Sequence, residues 1–216
     1  MKYEDTYCLK DVFSDVDEAI HAQWQALGDL YAYWNERINL ISRKDLTYLF
    51  PRHILHSLAV AKIVSFQPGM HVLDLGTGGG FPGIPLAILF PKTHFYLVDS
   101  IQKKIKAVEA ISQAMELKNV TPLCQRAETL EQTFDFILSR AVASLPKLYN
   151  WTKGKVKRMP QRNTQTGQEV THGLLCWKGG DLTQELATLP ISHRIYPLKE
   201  ILKLPFFDDK SIVHLF

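Results

Sequence analysis

The feature that most constrains the fold is a glycine-rich loop between a short apolar segment and the start of a predicted helix. The apolar segment covers residues 71 to 73, and the loop reads Asp-Leu-Gly-Thr-Gly-Gly-Gly over residues 74 to 80. Glycine permits positive φ and removes the Cβ that would keep a ligand away from the backbone. Alone, such a stretch indicates a flexible turn, but the order strand, loop, helix predicts a ligand lying on the loop.

Short apolar segments alternate with helical segments from residue 71 onward, which is typical of βαβ units and a parallel sheet. The predicted strands lie near residues 71 to 75, 94 to 98, 120 to 124, 134 to 139 and 173 to 177, and the predicted helices near 83 to 90, 101 to 117, 144 to 151 and 181 to 188. Apolar stretches at residues 194 to 198 and 211 to 216 predict a closing hairpin at one sheet edge. The fold class is therefore α/β.

The residues before the first strand are predicted to be helical. Apolar residues recur in steps of three and four from residue 14 to residue 41, which predicts one long amphipathic helix packed on its own domain. Ser14 is the predicted N-cap of this helix. A second helix is predicted over residues 51 to 63, so a helical extension precedes the sheet.

Composition excludes several classes of protein. An apolar fraction of 46% with 22% charged residues is that of a globular chain with a core, not of a disordered one. No apolar run approaches the ~20 residues of a membrane helix, and the N-terminus lacks a secretory signal, so a cytoplasmic protein without a membrane partner is expected. The 3 cysteines show no metal-ligand spacing, so we expect neither disulfides nor a metal site.

Two classes of ligand compete for the glycine loop, dinucleotides and S-adenosylmethionine. The dinucleotide fingerprint needs a glycine at position 81, where this chain has Phe81. Asp74 precedes the first glycine by two positions, where its carboxylate can engage the cationic amino-acid end of S-adenosylmethionine. Asp99 ends the second strand, where a carboxylate accepts hydrogen bonds from ribose hydroxyls, although it could equally cap the next helix. The pattern favours S-adenosylmethionine, and the loop glycines predicted to contact it are Gly76, Gly78 and Gly80.

The end of the fourth strand bears on the reaction. It reads Ser-Arg-Ala over residues 139 to 141, where methyltransferases of exocyclic amines carry an Asn/Asp-Pro-Pro-aromatic tetrapeptide that this chain lacks. No cysteine lies there, as cytosine-C5 chemistry needs. The absence of both features disfavours these two reaction classes.

Motifs along nearly the whole chain resemble the bacterial family of 16S ribosomal RNA guanine-N7 methyltransferases, also called glucose-inhibited division protein B. In chain order they are Tyr33-Trp34-Asn35 with Asn39-Leu40, Arg52-His53-Ile54-Leu55, the run DLGTGGGFPGIP over residues 74 to 85, Val98-Asp99-Ser100, Arg126-Ala127-Glu128, the run SRAVASL over residues 139 to 145, and Lys178-Gly179. The resemblance implies a class I S-adenosylmethionine-dependent methyltransferase fold with a seven-stranded, mostly parallel sheet. Residues 1 to 66 then form the N-terminal helical extension and residues 67 to 216 the Rossmann-like methyltransferase domain.

The resemblance also implies residue roles and a partner. The residues expected at the cofactor are Gly76, Phe81, Ala127, Glu128 and Arg140, with Ser100 added beside Asp99. The resemblance implies guanine N7 as the methyl acceptor. Because N7 has a free in-plane lone pair and no proton to remove, transfer to it needs no general base, so no catalytic residue is expected and positioning suffices. The expected partner is 16S ribosomal RNA or the small ribosomal subunit, bound by a monomer. In two places the chain departs from the family pattern: His56 replaces an aspartate, and Lys210 or Ser211 stands where an arginine is usual.

RNA contact is predicted for a set of cations. They are Arg52, His53, Arg126, Lys153, Lys155, Lys157, Arg158 and Lys178. Residues 147 to 162 contain cations and no acid, and we expect this basic segment to adjoin the cofactor and to contact phosphates. Residues 153 to 168 are expected to form a mobile loop.

Two other functions remain open from the sequence. One is a nicotinamide-dependent Rossmann oxidoreductase, and the other is a non-catalytic RNA-binding protein on a methyltransferase fold. The intact glycines and both acids, Asp74 and Asp99, argue against a degenerate site.

Overall fold

A twisted sheet of seven strands forms the centre of the protein in a computed structural model, which describes residues 7–157, 160–162 and 169–216. Its strands are β1 (His71–Leu75), β2 (His94–Asp99), β3 (Val120–Cys124), β4 (Phe136–Arg140), β7 (Gly173–Gly179), β8 (His193–Pro197) and β9 (Lys210–Leu215). The order across the sheet is β3-β2-β1-β4-β7-β9-β8, with β9 antiparallel to both of its neighbours. The predicted parallel strands and the closing hairpin are confirmed.

Helices cover the sheet on both faces. They are α1 (Tyr7–Val12), α2 (Glu18–Asn35), α3 (His56–Leu58), α4 (Gly83–Leu89), α5 (Gln102–Ala114), α6 (Leu145–Thr152), α7 (Thr183–Ala187) and α8 (Leu198–Leu202). Around α3, a 3-10 turn (Leu46–Tyr48), a π-helix (Leu49–Leu55) and a second 3-10 turn (Ala59–Lys62) form one helical stretch where a single helix was predicted. Within the described ranges, no helix is long and apolar enough to cross a bilayer.

The prediction of one helix over residues 14 to 41 is wrong at both ends. Helix α2 starts after Asp17, whose carboxylate accepts a hydrogen bond from a backbone amide two residues later at 2.8 Å, so Asp17 and not Ser14 is the N-cap. The helix ends at Asn35, whose side-chain oxygen accepts a hydrogen bond from the Leu40 amide at 2.9 Å. The apolar spacing continues through this turn, and for that reason the sequence pattern did not reveal the helix end.

The N-terminal helices and the sheet share one core. Trp24 and Tyr31 of α2 are fully buried in the same cluster as Phe95 of β2 and Phe136 of β4. The Trp24 indole also donates a hydrogen bond to the carbonyl of Pro85 in α4 at 3.1 Å. Helix α2 therefore packs on its own domain, as predicted, while the division of the chain at residue 66 stays a prediction.

Residues 153 to 157 of the basic segment lie at the opposite edge of the sheet from the glycine loop. The loop follows the carboxyl end of β1, whereas Val156 bridges to Phe134, just before the amino end of β4. Residues 153 to 157 follow α6, and a crossover helix returns the chain to the amino edge before the next parallel strand begins. The prediction that the basic segment adjoins the cofactor edge is therefore wrong for the described residues after α6.

The predicted loop over residues 153 to 168 contains regular structure. Strand β5 (Pro160–Arg162) pairs antiparallel with β6 (Glu169–Thr171) in a separate two-stranded sheet. Arg158 and residues 163 to 168 lie outside the described residues, so the mobility predicted for that part of the segment stays a prediction.

Candidate functional site

A pocket of about 280 Å³ opens at the carboxyl edge of the sheet. Its walls are the turns that follow β1, β2, β3 and β4, which is where open α/β sheets bind their ligands. The predicted site residues that line it are Gly76, Asp99, Ser100, Arg126, Ala127 and Glu128. The structure thus brings together residues from four separate motifs.

The three glycines of the loop have positive φ but different surroundings. φ is 72° at Gly76, 59° at Gly78 and 95° at Gly80. A Cβ at Gly76 would clash with the Val142 side chain, and a Cβ at Gly80 would clash with that of Ile84. At Gly78 the nearest atom would be 4.0 Å away. Packing within the protein therefore requires glycine at positions 76 and 80, whereas Gly78 faces open space that a ligand can fill.

Asp74 holds the loop from beneath. One oxygen of its carboxylate accepts hydrogen bonds from the Thr77 hydroxyl at 2.7 Å and from the Gly83 amide at 2.8 Å. The side chain is fully buried and does not line the pocket, and its other oxygen has no hydrogen-bond partner among the described residues. Burial raises the pKa of Asp74 to about 7. Its observed role is to shape the loop, and contact with the amino-acid end of the cofactor stays a prediction.

We expect the free energy of unfolding of an Asp74→Asn variant, minus that of the parent, to be larger at pH 8 than at pH 5. Because the folded chain holds the Asp74 proton more tightly than the unfolded chain, this group lowers the free energy of unfolding as pH rises from about 4 to about 7. Asparagine keeps an acceptor for Thr77 and Gly83 but does not titrate. Urea unfolding of both proteins at the two pH values measures the effect, and an equal stability difference at both would contradict it.

Asp99 ties the second turn to the first. One carboxylate oxygen accepts a hydrogen bond from the Gly78 amide at 3.0 Å, and the other accepts from the Ile101 amide at 2.9 Å. Lys104 lies 3.9 Å from the first of these oxygens. Asp99 therefore shapes the turn before α5 and also holds the glycine loop. Its contact with ribose hydroxyls stays a prediction, supported by its place in the pocket wall.

Arg140, at the end of β4, is a partly buried cation whose hydrogen bonds go to neutral groups. Its guanidinium donates hydrogen bonds to the Arg52 carbonyl and to Nδ1 of His53, both at 3.3 Å, and lies 5.2 Å from the centre of the Phe81 ring. Burial lowers the pKa of Arg140 to about 10, so it stays charged at neutral pH. Burial, reinforced by the Arg140 charge, lowers the pKa of His53 to about 3, so its ring is neutral and accepts the bond. No described carboxylate forms an ion pair with Arg140.

Contacts within the protein occupy two of the predicted RNA-binding cations. Arg52 forms an ion pair with Asp45 at 2.9 Å and stacks on the Tyr48 ring at 3.7 Å. Lys178 forms an ion pair with Glu185 at 2.8 Å. Both side chains therefore have structural roles, and their RNA contacts stay predictions.

The lysines of the basic segment differ in their surroundings. Lys155 donates a hydrogen bond to the Leu130 carbonyl, and Lys157 forms an ion pair with Asp135 at 3.1 Å. Lys153 is exposed and borders a cavity of about 410 Å³ at the amino edge of the sheet. That cavity is larger than the pocket beside the glycine loop, but none of the predicted cofactor residues lines it.

The two departures from the family pattern fit the local structure. The His56 ring packs against Phe207 at 5.2 Å, and burial lowers its pKa well below the ordinary value, so it is neutral. Lys210 donates hydrogen bonds to Asp209 and to the Phe206 carbonyl, both at 2.7 Å. Neither substitution leaves an unpaired charge at this place.

Several other residues of the pocket wall were not assigned as site residues from the sequence. Among them, Val142 and Trp151 supply apolar wall on the side of α6, and Lys104 forms the ion pair with Asp99. Val142 lies two residues after the end of β4, so its position at a strand end was an available signal. Lys104 lies inside α5, where nothing local distinguishes it from a solvent-facing lysine.

The antiparallel strand β9 occupies the next-to-last position of the sheet, and a glycine turn follows β1. This strand order and this turn define a class I S-adenosylmethionine-dependent methyltransferase fold. A solved structure titled as a SAM dependent methyltransferase from Aquifex aeolicus matches 74% of this chain and 88% of its own, with a TM-score of 0.55 and 18% identity. TrmN from Thermus thermophilus matches 74% of this chain and 47% of its own, with a TM-score of 0.52 and 16% identity. At these identities the likeness shows the fold.

The family follows from closer relatives. The profile of the family GidB, described as rRNA small subunit methyltransferase G, matches residues 20–172. A Flavobacterium johnsoniae protein named Ribosomal RNA small subunit methyltransferase G is 52% identical over 193 residues, which is 89% of each chain. A protein of the same name from Bacteroides thetaiotaomicron is 47% identical over 204 residues, 94% of this chain and 95% of its own. This chain belongs to the rRNA small subunit methyltransferase G family, and the resemblance found in its sequence is confirmed.

Proposed function

We propose that this protein transfers a methyl group from S-adenosylmethionine to N7 of a guanine in 16S ribosomal RNA. The observation that carries the proposal is the pocket at the carboxyl edge, where Asp99 and Glu128 line two neighbouring turns. The Asp99 carboxylate also accepts a hydrogen bond from the Gly78 amide, and Gly78 faces open space. Family membership favours a methyltransferase over the oxidoreductase and the non-catalytic RNA-binding protein. We further propose that it acts as a monomer in the cytoplasm.

The donor set of the pocket fits S-adenosylmethionine. In the proposed arrangement the Asp99 carboxylate accepts hydrogen bonds from the ribose hydroxyls, Ala127 and Glu128 flank the adenine, and the backbone at Gly78 borders the amino-acid end. The open space at Gly78 supports this placement, since a side chain there would occupy the ligand's volume. Bound S-adenosylmethionine supplies a sulfonium methyl group as the electrophile.

Methyl transfer to guanine N7 asks the protein for orientation rather than for a base. The N7 lone pair attacks the methyl carbon in line with the breaking carbon–sulfur bond, and the positive charge moves from the sulfur to the guanine ring. His53 is poorly suited to accept a proton, because burial lowers its pKa to about 3 and its Nδ1 already accepts a bond from Arg140. Holding the two reactants together accounts for the catalysis.

The decisive experiment supplies methyl-labelled S-adenosylmethionine and small ribosomal subunits from cells that lack the modification. We expect label on N7 of a single guanine of the 16S RNA, located by cleavage at the modified base. Label on an exocyclic amine or on cytosine would contradict the proposed acceptor. Failure of the protein to bind S-adenosylmethionine in a calorimetric titration would contradict the proposed function altogether.

RNA contact at the cofactor edge predicts a specific change in salt dependence. We expect Arg126→Ala, which removes an exposed cation at the pocket, to reduce the slope of log affinity for 16S RNA against log salt by roughly 0.7 to 0.9. Lys153→Ala removes an exposed cation at the amino edge and serves as the matched control, with an unchanged slope expected. The reverse result would place the RNA along the basic segment.

A further inference from the structure

The glycine loop is held from a third side by the N-terminal helices. Strands β1 and β2 hold it through the carboxylates of Asp74 and Asp99. Helix α2 adds Tyr31, whose hydroxyl donates a hydrogen bond to the Gly79 carbonyl at 2.7 Å. A residue outside the sheet therefore bonds directly to the loop.

Tyr31 fits its place closely. The side chain is fully buried, and its ring stacks on Phe81 with the ring centres 4.7 Å apart and the planes 24° from parallel. Its hydroxyl oxygen lies 3.2 Å from the position that a Cβ on Gly80 would take. Ring and hydroxyl are thus fixed by separate contacts, so the hydroxyl can be removed while the ring stack stays.

The turn after α2 closes the same side of the loop. The Asn35 side chain holds the Leu40 amide, and Leu40 lies against Gly79, with its Cβ 3.1 Å from where a Cβ of that glycine would be. Helix α2 and its following turn therefore form the back of the loop, on the side away from the pocket.

Three successive glycines, residues 78 to 80, leave this part of the loop without side chains that would restrict its backbone conformation. A ligand that binds a flexible loop must supply the free energy of ordering it, and a loop held in advance binds more tightly. We propose that Tyr31 is a positioning residue for the cofactor. Its hydroxyl fixes the Gly79 carbonyl and thereby keeps the neighbouring Gly78 backbone in the conformation that receives S-adenosylmethionine.

This inference rests on the proposed cofactor placement and gives the N-terminal helices a function in it. They are part of the cofactor site through one hydrogen bond and one packing contact, as well as part of the core. The effect acts on cofactor binding and not on RNA binding, because Tyr31 is buried and cannot touch the RNA.

The test replaces Tyr31 by phenylalanine, which keeps the ring stack and removes the hydroxyl. We expect the Kd for S-adenosylmethionine, measured by calorimetric titration, to rise about three- to tenfold, the value of one ordinary hydrogen bond. The KM for S-adenosylmethionine should rise to match, while kcat and the KM for ribosomal subunits stay near the parent values.

Thr93→Val is the matched control. Thr93 is buried and its hydroxyl donates to the Gln67 carbonyl at 3.1 Å, at the amino edge of the sheet and away from the pocket. The two variants should lose similar thermal stability, but only Tyr31→Phe should lose cofactor affinity. Equal cofactor affinity in both would overturn the proposal and leave Tyr31 as a core residue.

Two further measurements separate this proposal from the proposed function. If the parent binds no S-adenosylmethionine, the proposed function fails and this inference fails with it. If Tyr31→Phe does not fold, Leu40→Gly removes the Cβ that lies against Gly79 and should also weaken cofactor binding. An unchanged Kd in a folded Leu40→Gly protein would then overturn the inference.

Discussion

A Gly78→Val variant is expected to fold and to show no measurable binding of S-adenosylmethionine. Gly78 has φ of 59°, and a Cβ added there meets no protein atom closer than 4.0 Å. The folded protein can therefore accommodate valine at the cost of its unfavourable left-handed conformation, about 1 to 2 kcal/mol. The branched side chain then fills the space that the proposed placement gives to the cofactor, so thermal unfolding shows a folded protein and calorimetry shows no binding.

Gly69→Val separates the loss of ligand space from the backbone cost. Gly69 has φ of 82° and no atom within 4 Å of its added Cβ, and it lies in the turn before β1, at the edge away from the pocket. Its variant carries a similar conformational penalty but leaves the pocket unchanged. We expect it to lose stability and to keep its cofactor affinity. Comparable cofactor affinities in the two variants would contradict the placement of the cofactor beside Gly78.

Local patterns were sufficient to predict the strands and the glycine turn. The bounds of β1 and β3 agree with the predicted residues 71 to 75 and 120 to 124, because short apolar runs bounded by turn residues are a local signal. The glycine loop was equally local, since its strand, turn and helix are consecutive in the chain. The pocket followed from it, because the carboxyl ends of parallel strands meet at one edge of the sheet.

Individual side-chain hydrogen bonds account for much of what was missed. The end of α2 depends on the bond from the Leu40 amide to Asn35, and the apolar period gives no sign of that bond. Tyr31 lies on the buried stripe of α2, and its hydroxyl bonds to a residue 48 positions away. Nothing local distinguishes it from a core tyrosine, so its role became visible only in the fold.

The position predicted for residues 153 to 157 was wrong, although the direction of the chain made the correct position predictable. A segment between a crossover helix and the next parallel strand must lie at the amino edge, while the glycine loop follows a strand and lies at the carboxyl edge. Charge alone suggested RNA contact there, without regard to chain direction. In the structure Lys157 is paired with Asp135 at that amino edge, so a cation count overstates the charge available to RNA.

An Arg140→Met variant is expected to lose activity without losing stability. Its guanidinium is partly buried and charged, and it donates only to a carbonyl and an imidazole at 3.3 Å. No described carboxylate forms an ion pair with it, and the buried Asp74 carboxyl acts on it only from beyond ion-pair distance. Removing such a weakly compensated charge returns the free energy of its desolvation. The two long hydrogen bonds that methionine gives up offset part of this gain. We therefore expect an unfolding temperature equal to or above that of the parent.

We expect methyl transfer to fall, because the proposed function sets an anionic group of the cofactor or of the RNA against the Arg140 guanidinium. A hydrogen bond to a charged group contributes about 1.5 to 3 kcal/mol, so the loss should be about ten- to hundredfold in methyl transfer. Separate titrations with S-adenosylmethionine and with 16S RNA identify the anion. A weaker Kd for the cofactor assigns Arg140 to its carboxylate, and a weaker Kd for RNA assigns it to a phosphate.

Lys178→Met shows what a structural cation does under the same test. Lys178 pairs with Glu185 at 2.8 Å, so its removal leaves a partly buried carboxylate without its counterion, and the unfolding temperature should fall. If the unfolding temperature of Arg140→Met falls by as much and the variant keeps its activity, Arg140 is a structural cation as well. Opposite changes of stability in the two variants, together with loss of methyl transfer in Arg140→Met, would indicate that the Arg140 charge binds a ligand rather than stabilises the fold.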